Sequence, residues 1–303
     1  MSRCKGLSLM SGGLDSQLAV RVLERAGAYM EAVCFSTPFF SPATARKAAE
    51  ALGVKLHVID FTDIEVRLIE NPPHGFGGAM NPCIDCHAKM ISRAGELMTE
   101  LAYDFVATGE VRGQRPMSQN AQSLETVAKA SGMRGRLVRP LSAKLLDPTI
   151  PETEGKLNRE KLLDISGRGR ERQIALAAEF GITEYPSPAG GCRLTEDGFG
   201  RRLKDLMEHE GLASRQLVEL LVVGRRFRLP GGSSLILGRD RLENERLRRT
   251  DMFLVECSTV GPVAAIPDLK CEEDRKLAQE LVDAYAKGTS EKDRLPYKPC
   301  QIF

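Results

Sequence analysis

The feature that most constrains this chain lies in its first sixteen residues. An apolar run at 5–10 ends in Ser11-Gly12-Gly13-Leu14-Asp15-Ser16 and passes directly into an amphipathic segment at 16–26 with Leu18, Val20, Val22 and Leu23 on its apolar side. Glycines let the backbone N–H groups of such a turn face a ligand with no Cβ in the way, and the helix that follows points its positive end at the same place. The string therefore reads as a phosphate cradle built from Ser11, Gly12, Gly13, Leu14 and Ser16, with Asp15 available to hold magnesium or a water. A capped helix after a tight turn explains the glycines but not the whole string.

Further apolar runs at 30–35, 55–61, 105–108 and 137–139 alternate with helix-length segments, including one at 85–101. Alternation of this kind predicts an α/β fold, a doubly wound parallel sheet, for residues 1–199. From about residue 200 the pattern changes to a helix, short strands broken by Pro230-Gly231-Gly232, an Arg-rich helix, more short strands and a last helix at 272–287. A smaller α+β domain is expected over 200–288, with the boundary at Phe199 and a polar tail at 289–303. At 303 residues and 42% apolar content the chain can bury two cores. The N-terminus turns Gly-rich early and no eighteen apolar residues run together, so neither a signal peptide nor a membrane span is expected, and a cytoplasmic location is.

Eight cysteines in a reducing compartment point to metal or redox chemistry rather than a disulfide framework. Cys83 and Cys86, in Asn81-Pro82-Cys83-Ile84-Asp85-Cys86, have C-x-x-C spacing near a helix N-terminus, where the dipole favours thiolate. Cys192 follows a Pro/Gly loop, Pro186-Ser187-Pro188-Ala189-Gly190-Gly191. Spacing alone leaves a redox pair, half a zinc site and chance open, although the absence of a second C-x-x-C disfavours a structural zinc site. Cys4, Cys34, Cys257, Cys271 and Cys300 lack ligand spacing and are expected to be buried. His57 reads as core, His87 as helix surface, and His74 and His209 as isolated.

The net charge of +2 is uninformative, but twelve Lys/Arg against seven Asp/Glu fall between residues 201 and 249. Arg225, Arg226 and Arg228 form one run there, and a polyanionic partner is the reading. Arg168, Arg170 and Arg172 extend the basic track toward Cys192.

The Ser11 to Ser16 string resembles the PP-loop of the adenine nucleotide alpha-hydrolases. The resemblance implies cleavage of ATP between its α and β phosphates, an adenylated intermediate, and an adenine contact near Ser36. The Asn-Pro-Cys-x-x-Cys element with a later cysteine loop resembles PP-loop thiouridylases. In that class three cysteines imply a [4Fe-4S] cluster held by Cys83, Cys86 and Cys192, with one open iron for sulfide. Cluster-free members carry an acidic residue at the position of Cys83 and use the other two, here Cys86 and Cys192, as a persulfide pair. Thr108-Gly109-Glu110, with Gln114 and Gln119, resembles an element of tRNA 4-thiouridine synthetases, implying that Thr108, Gly109 and Gln114 contact nucleotide. Catalytic roles are implied for Asp15, Cys86 and Cys192.

This resemblance covers roughly residues 5–195. No room is seen before Ser11 for the RNA-capturing modules of 4-thiouridine synthetases, nor a rhodanese-like domain after them. The stretch containing Gly238-Arg239 and Asn244 resembles the RNA-binding NFACT-R domain, implying that Arg239 and Asn244 join Arg225, Arg226 and Arg228 on RNA. The expected activity is ATP-dependent tRNA thiolation, giving 4-thiouridine, with tRNA and either inorganic sulfide or a persulfide-donating protein as partners. The rivals are a PP-loop amide ligase and a non-catalytic RNA-binding factor.

Overall fold

Strands at the expected apolar runs build a single parallel sheet in the first part of the protein, which a computed structural model describes over residues 3–187 and 191–302. They are β1 (Lys5–Leu9), β2 (Tyr29–Ser36), β3 (Leu56–Asp60), β4 (Phe105–Ala107) and β5 (Leu137–Val138), in the order β3-β2-β1-β4-β5. Every pairing is parallel. Such a sheet must be covered on both faces, which is why its strands read as continuous apolar runs. Leu18 and Val22 of α1 (Leu14–Arg25) and Ala45 and Ala49 of α2 (Ala43–Leu52) fill one face, with Ala177 of a later helix. Leu68 of α3 (Thr62–Glu70), Ile91 of α4 (Cys83–Glu100) and Val127 of α5 (Ala121–Ala130) fill the other. The sheet is doubly wound, as the alternation predicts. Two further helices complete the unit, α6 (Ile150–Thr153) and α7 (Glu171–Glu179).

Strand order reverses between β1 and β4. In open α/β sheets the crevice beyond the carboxyl ends of two such strands is where ligands bind. Ser11 to Ser16 follow β1 and Thr108 to Glu110 follow β4, so both sequence elements open onto that crevice.

The chain divides into compact units at 1–192 and 193–303, ahead of the Phe199 that the pattern places at the boundary. The reason is α8 (Asp197–His209), whose buried Phe199, Leu203 and Leu206 belong to the second unit. That unit holds α9 (Arg215–Leu220), β6 (Arg225–Arg228), β7 (Ser234–Leu237), α10 (Arg241–Arg248), β8 (Phe253–Glu256), β9 (Val263–Ile266) and α11 (Glu272–Ala284). Its strands form an antiparallel sheet, so the α+β expectation holds. Phe227 packs with Leu281 of α11 on one face, and Ile236 with Leu220 and Leu247 of α9 and α10 on the other.

The segment read as a polar tail is folded. It forms α12 (Glu291–Arg294), a 3-10 turn and β10 (Gln301–Ile302), which pairs with β6 at the sheet edge. Tyr297 and Cys300 pack on the core beside Phe227, and this apolar anchoring outweighs the polar composition. Among the described residues no helix is long and apolar enough to cross a membrane.

Candidate functional site

The turn after β1 is held open by its own backbone. Gly12 adopts φ +85°, and a Cβ there would lie 2.4 Å from the carbonyl carbon of Thr44, so only glycine fits. Thr44 Oγ1 donates to the Ser11 carbonyl (2.8 Å) and Ser16 Oγ to the Gly13 carbonyl (2.8 Å). Gly13 is the N-cap of α1 and has no side chain to occupy the first-turn amides, which leaves the positive end of the helix facing the crevice. Gln17, missed in the sequence, donates from Nε2 to the carbonyls of Gly12 and Glu184, tying the loop to the segment that leads toward Cys192.

Asp15 is partly buried, and its environment is specific. Gln114 Nε2 donates to Asp15 Oδ2 (3.0 Å), while Asp15 Oδ1 and Gln114 Oε1 are buried with no partner among the described residues. Burial pushes the Asp15 carboxyl upward, opposed by Gln114, then Arg170 and Arg115. Arg170, the N-cap of α7, therefore acts on Asp15, and its own Nε is buried without a partner among the described residues. Orphaned oxygens beside this glycine turn fit a bound magnesium or an ordered water. Ser36 lies at the end of β2, where its carbonyl accepts from Phe61 N (2.9 Å).

Beyond β4, Gly109 rests directly on α1. A Cβ there would lie 2.5 Å from the backbone carbon of Asp15. Next to it, buried Glu110 accepts from Arg139 Nε (2.8 Å) and Thr108 Oγ1 (3.0 Å), with His87 Nδ1 at 3.4 Å. Burial alone would raise the Glu110 carboxyl, but Arg139 and then His87 hold it well below the usual carboxylate range. His87, read as helix surface, therefore faces this network.

Cys83 and Cys86 open α4, and the helix N-terminus lies at the same sheet edge. Asn81 Nδ2 donates to Cys83 Sγ (3.1 Å). Buried Cys86 instead donates to Glu65 Oε2 of α3 (3.0 Å). Burial pushes the Cys86 thiol well up, Glu65 adds to it, and Cys192 and Cys83 act in the same direction. The three sequence-selected cysteines are thus electrostatic neighbours, although Pro188, Ala189 and Gly190 of the third one's loop lie outside the described residues. Burial raises Glu65 itself to about 7. Among the described residues no three His, Cys, Asp or Glu side chains converge as a metal cage. Three thiols from two segments fit an iron–sulfur cluster in donor chemistry, with Cys86 first having to leave Glu65.

The remaining expectations divide. Cys4 and Cys34 are buried, and burial lifts both thiols to about 11. Cys257, Cys271 and Cys300 are only partly buried; Cys271 is the N-cap of α11, its Sγ accepting from Asp274 N. His74 is not isolated, because its Nδ1 lies 2.6 Å from Asp85 Oδ1. His57 is partly buried against Glu31 (2.6 Å).

The arginines of the second unit have unlike surroundings. Arg228 forks onto Asp205 and Glu210. Arg225 lies over the Tyr285 ring at 5.2 Å, and exposed Arg239 pairs with Glu243. Asn244 Oδ1 accepts from Val263 N (3.1 Å) against Gly238, where any Cβ would meet it. Arg226 is 3% exposed, and its Nε and Nη2 have no partner among the described residues. Arg168 is exposed in the loop before α7.

Comparison with known proteins follows the same division. Residues 1–144 match the family model described as thiamine biosynthesis protein (ThiI), and residues 224–295 match the NFACT protein RNA binding domain. A tRNA-specific 2-thiouridylase MnmA of Sulfurimonas denitrificans is 36% identical over 112 residues, 33% of this chain and 32% of that protein. A probable tRNA sulfurtransferase of Brevibacillus brevis is 31% identical over 149 residues, 46% of this chain and 35% of the relative. The matches thus span about a third of the length of these curated relatives. Among solved structures, a 4-thiouridine synthetase–RNA complex with bound ATP superposes with a TM-score of 0.38 at 18% identity, over 59% of this chain and 52% of that one.

Proposed function

We propose, for a chain whose residues 1–144 form a domain of the ThiI family and whose residues 224–295 form an NFACT-type RNA-binding domain, that it is an ATP-dependent tRNA sulfurtransferase with 4-thiouridine as the expected product. The observation that carries the reading is a shared edge. Gly109 rests on Asp15, its neighbour Glu110 faces His87, and His87 adjoins Cys86 in sequence. A phosphate cradle and a group of thiols at one crevice suit a reaction that activates an oxygen with a nucleotide and then replaces it with sulfur. An amide ligase has no use for the thiols.

The amides after β1 and the N-terminus of α1 would hold the ATP phosphates, and Asp15, oriented by Gln114, would hold magnesium. A uridine carbonyl oxygen bonds to the α-phosphorus and pyrophosphate leaves. Sulfur then bonds to the adenylated carbon and AMP leaves with the original oxygen. Cys83, Cys86 and Cys192 would hold a [4Fe-4S] cluster, which when bound supplies an iron without a protein ligand for sulfide. A second reading, a Cys86–Cys192 persulfide pair, is favoured by the Cys86–Glu65 hydrogen bond, which gives the thiol a resident proton acceptor.

The test is tRNA-dependent pyrophosphate release. Asp15→Asn is expected to lower it on the order of a hundredfold while leaving tRNA affinity intact. Unchanged release in this variant would remove Asp15, and with it the magnesium assignment, from the reaction.

A further inference from the structure

The second unit contains a buried guanidinium, that of Arg226, with two nitrogens that find no partner among the described residues. Strand β6 reads Arg225-Arg226-Phe227-Arg228, and period-two alternation puts Arg226 and Arg228 on the face opposite Phe227. Arg228 shows what that face offers. Its Nε and Nη2 grip the two oxygens of Asp205 on α8 at 3.2 and 2.6 Å, and Glu210 and the Gly232 carbonyl take further donors.

Arg226, two residues earlier, presents the same Nε/Nη2 edge, and this edge is empty of partners among the described residues. The two N–H groups on one edge of a guanidinium are parallel and spaced for two oxygens of a single oxoanion. No carboxylate answers them. The residue one helical turn before Asp205 on α8 is Arg202, a second cation, whose Nε is likewise buried without a partner. Arg202 is the charge with the largest effect on Arg226, and burial followed by Arg202 lowers the Arg226 guanidinium to about 10, so it stays charged at neutral pH. Arg239 and then Arg193 add positive potential at Arg202, opposed more weakly by Glu196 and Glu243. Asp205 and Glu210 also act on Arg226, but their oxygens are committed to Arg228. A buried charge with unfilled donors is costly unless an anion fills them.

We propose that the Nε/Nη2 edge of Arg226, with Arg202 beside it, is a slot for one phosphodiester of bound RNA. The inference rests on the RNA-binding reading above and sharpens it. Arg226 and Arg202 grip the backbone, whereas Arg228 and Asn244 hold the fold together. Arg202 lies outside residues 224–295, so the slot joins α8 to the matched RNA-binding domain. Phosphate recognition of this kind fixes register and carries no sequence information.

The experiment uses the full chain, tRNA binding measured across a salt series, and thermal melting with and without inorganic phosphate. Arg202→Glu is the informative variant, because it places a carboxylate where the fold lacks one. It is expected to melt higher than wild type, to lose about tenfold or more in tRNA affinity, and to bind with a log–log salt slope shallower by about one or two. Arg202→Gln is expected to weaken binding without the gain in melting temperature. Arg241→Ala, at an exposed position paired with Glu245, is expected to bind like wild type.

Wild-type tRNA affinity in both Arg202 variants would overturn the slot. Phosphate raising the melting temperature of wild type but not of Arg202→Glu, with tRNA affinity unchanged, would make the site one for free phosphate and overturn the RNA assignment. Failure of the wild-type chain to bind any tRNA would defeat the functional reading itself, and with it the phosphodiester. Pyrophosphate release that persists while the Arg202 variants bind normally would defeat the slot alone.

Discussion

At the residue scale, the Glu110 network shows how buried charge is made tolerable. Arg139 and Glu110 are both buried, and Thr108 and His87 complete the carboxylate's contacts. Removing one member of such a pair typically costs about 3–5 kcal/mol, because the other charge remains buried and alone. Glu110→Gln is therefore expected to destabilise the protein by about that amount at pH 7, read by urea denaturation. The folded carboxyl titrates below its unfolded value of 4.5, so its stabilisation is present above about pH 4.5 and is lost as pH falls through the folded value. The gap between wild type and variant should then narrow from pH 5 to pH 3. A gap independent of pH would show that the pair is not linked to protonation.

The turn from β1 into α1 was legible from residue identities, since Ser11 to Ser16 are contiguous and their chemistry is local. Glu65 was not, because its partner Cys86 is twenty-one positions away. A signal existed all the same: buried Thr62, Glu65, Leu68 and Ile69 share one side of α3, and a carboxylate on an apolar helix face needs a reason. Arg226 carried a similar signal, as an arginine at an alternating position of a short strand. Burial of the five remaining cysteines was read from residue type alone, and the exposure of Cys257, Cys271 and Cys300 depends on packing that residue type does not encode.

At the scale of elements, close approach of backbone to backbone sets what can change. Gly109 has ordinary backbone freedom but no space, since a Cβ would collide with the backbone at Asp15 and Ser16. Gly109→Ala is expected to move the start of α1 and to weaken ATP binding about tenfold or more, whereas Gly53→Ala, at an open αL helix end, should cost only about 1 kcal/mol of stability. Calorimetric ATP titration and melting curves separate the two effects. Equal ATP affinity in Gly109→Ala and wild type would show that α1 does not position the nucleotide.

The C-terminal strand is the element that composition hid. A two-residue strand has no periodicity to read, and its anchoring by Tyr297 and Cys300 is visible only once Phe227 is in place. Deleting residues 295–303 would expose the edge of β6 as an unpaired strand. Lower melting temperature and concentration-dependent aggregation are expected, followed by light scattering. A truncated chain that melts and scatters like the full one would make β10 dispensable.

At the scale of the whole molecule, alternation of strands and helices foretold the doubly wound unit, and broken short strands foretold a different second one. The division falls just after the Pro/Gly stretch of sequence at 186–191 rather than at Phe199, and only the packing of α8 assigns that helix to the second unit. Each unit supplies one half of the proposed activity: a crevice where cradle and thiols meet, and a basic surface for RNA. The central claim joins these halves, and one measurement tests the join. The chain is incubated anaerobically with tRNA, ATP, magnesium and sulfide, and the digested nucleosides are weighed by mass spectrometry alongside a Cys192→Ala control. The account predicts thiouridine in the wild-type digest, about one pyrophosphate released for each sulfur incorporated, and no thiouridine with Cys192→Ala. Pyrophosphate release without thiouridine, or thiouridine undiminished in the control, would contradict it.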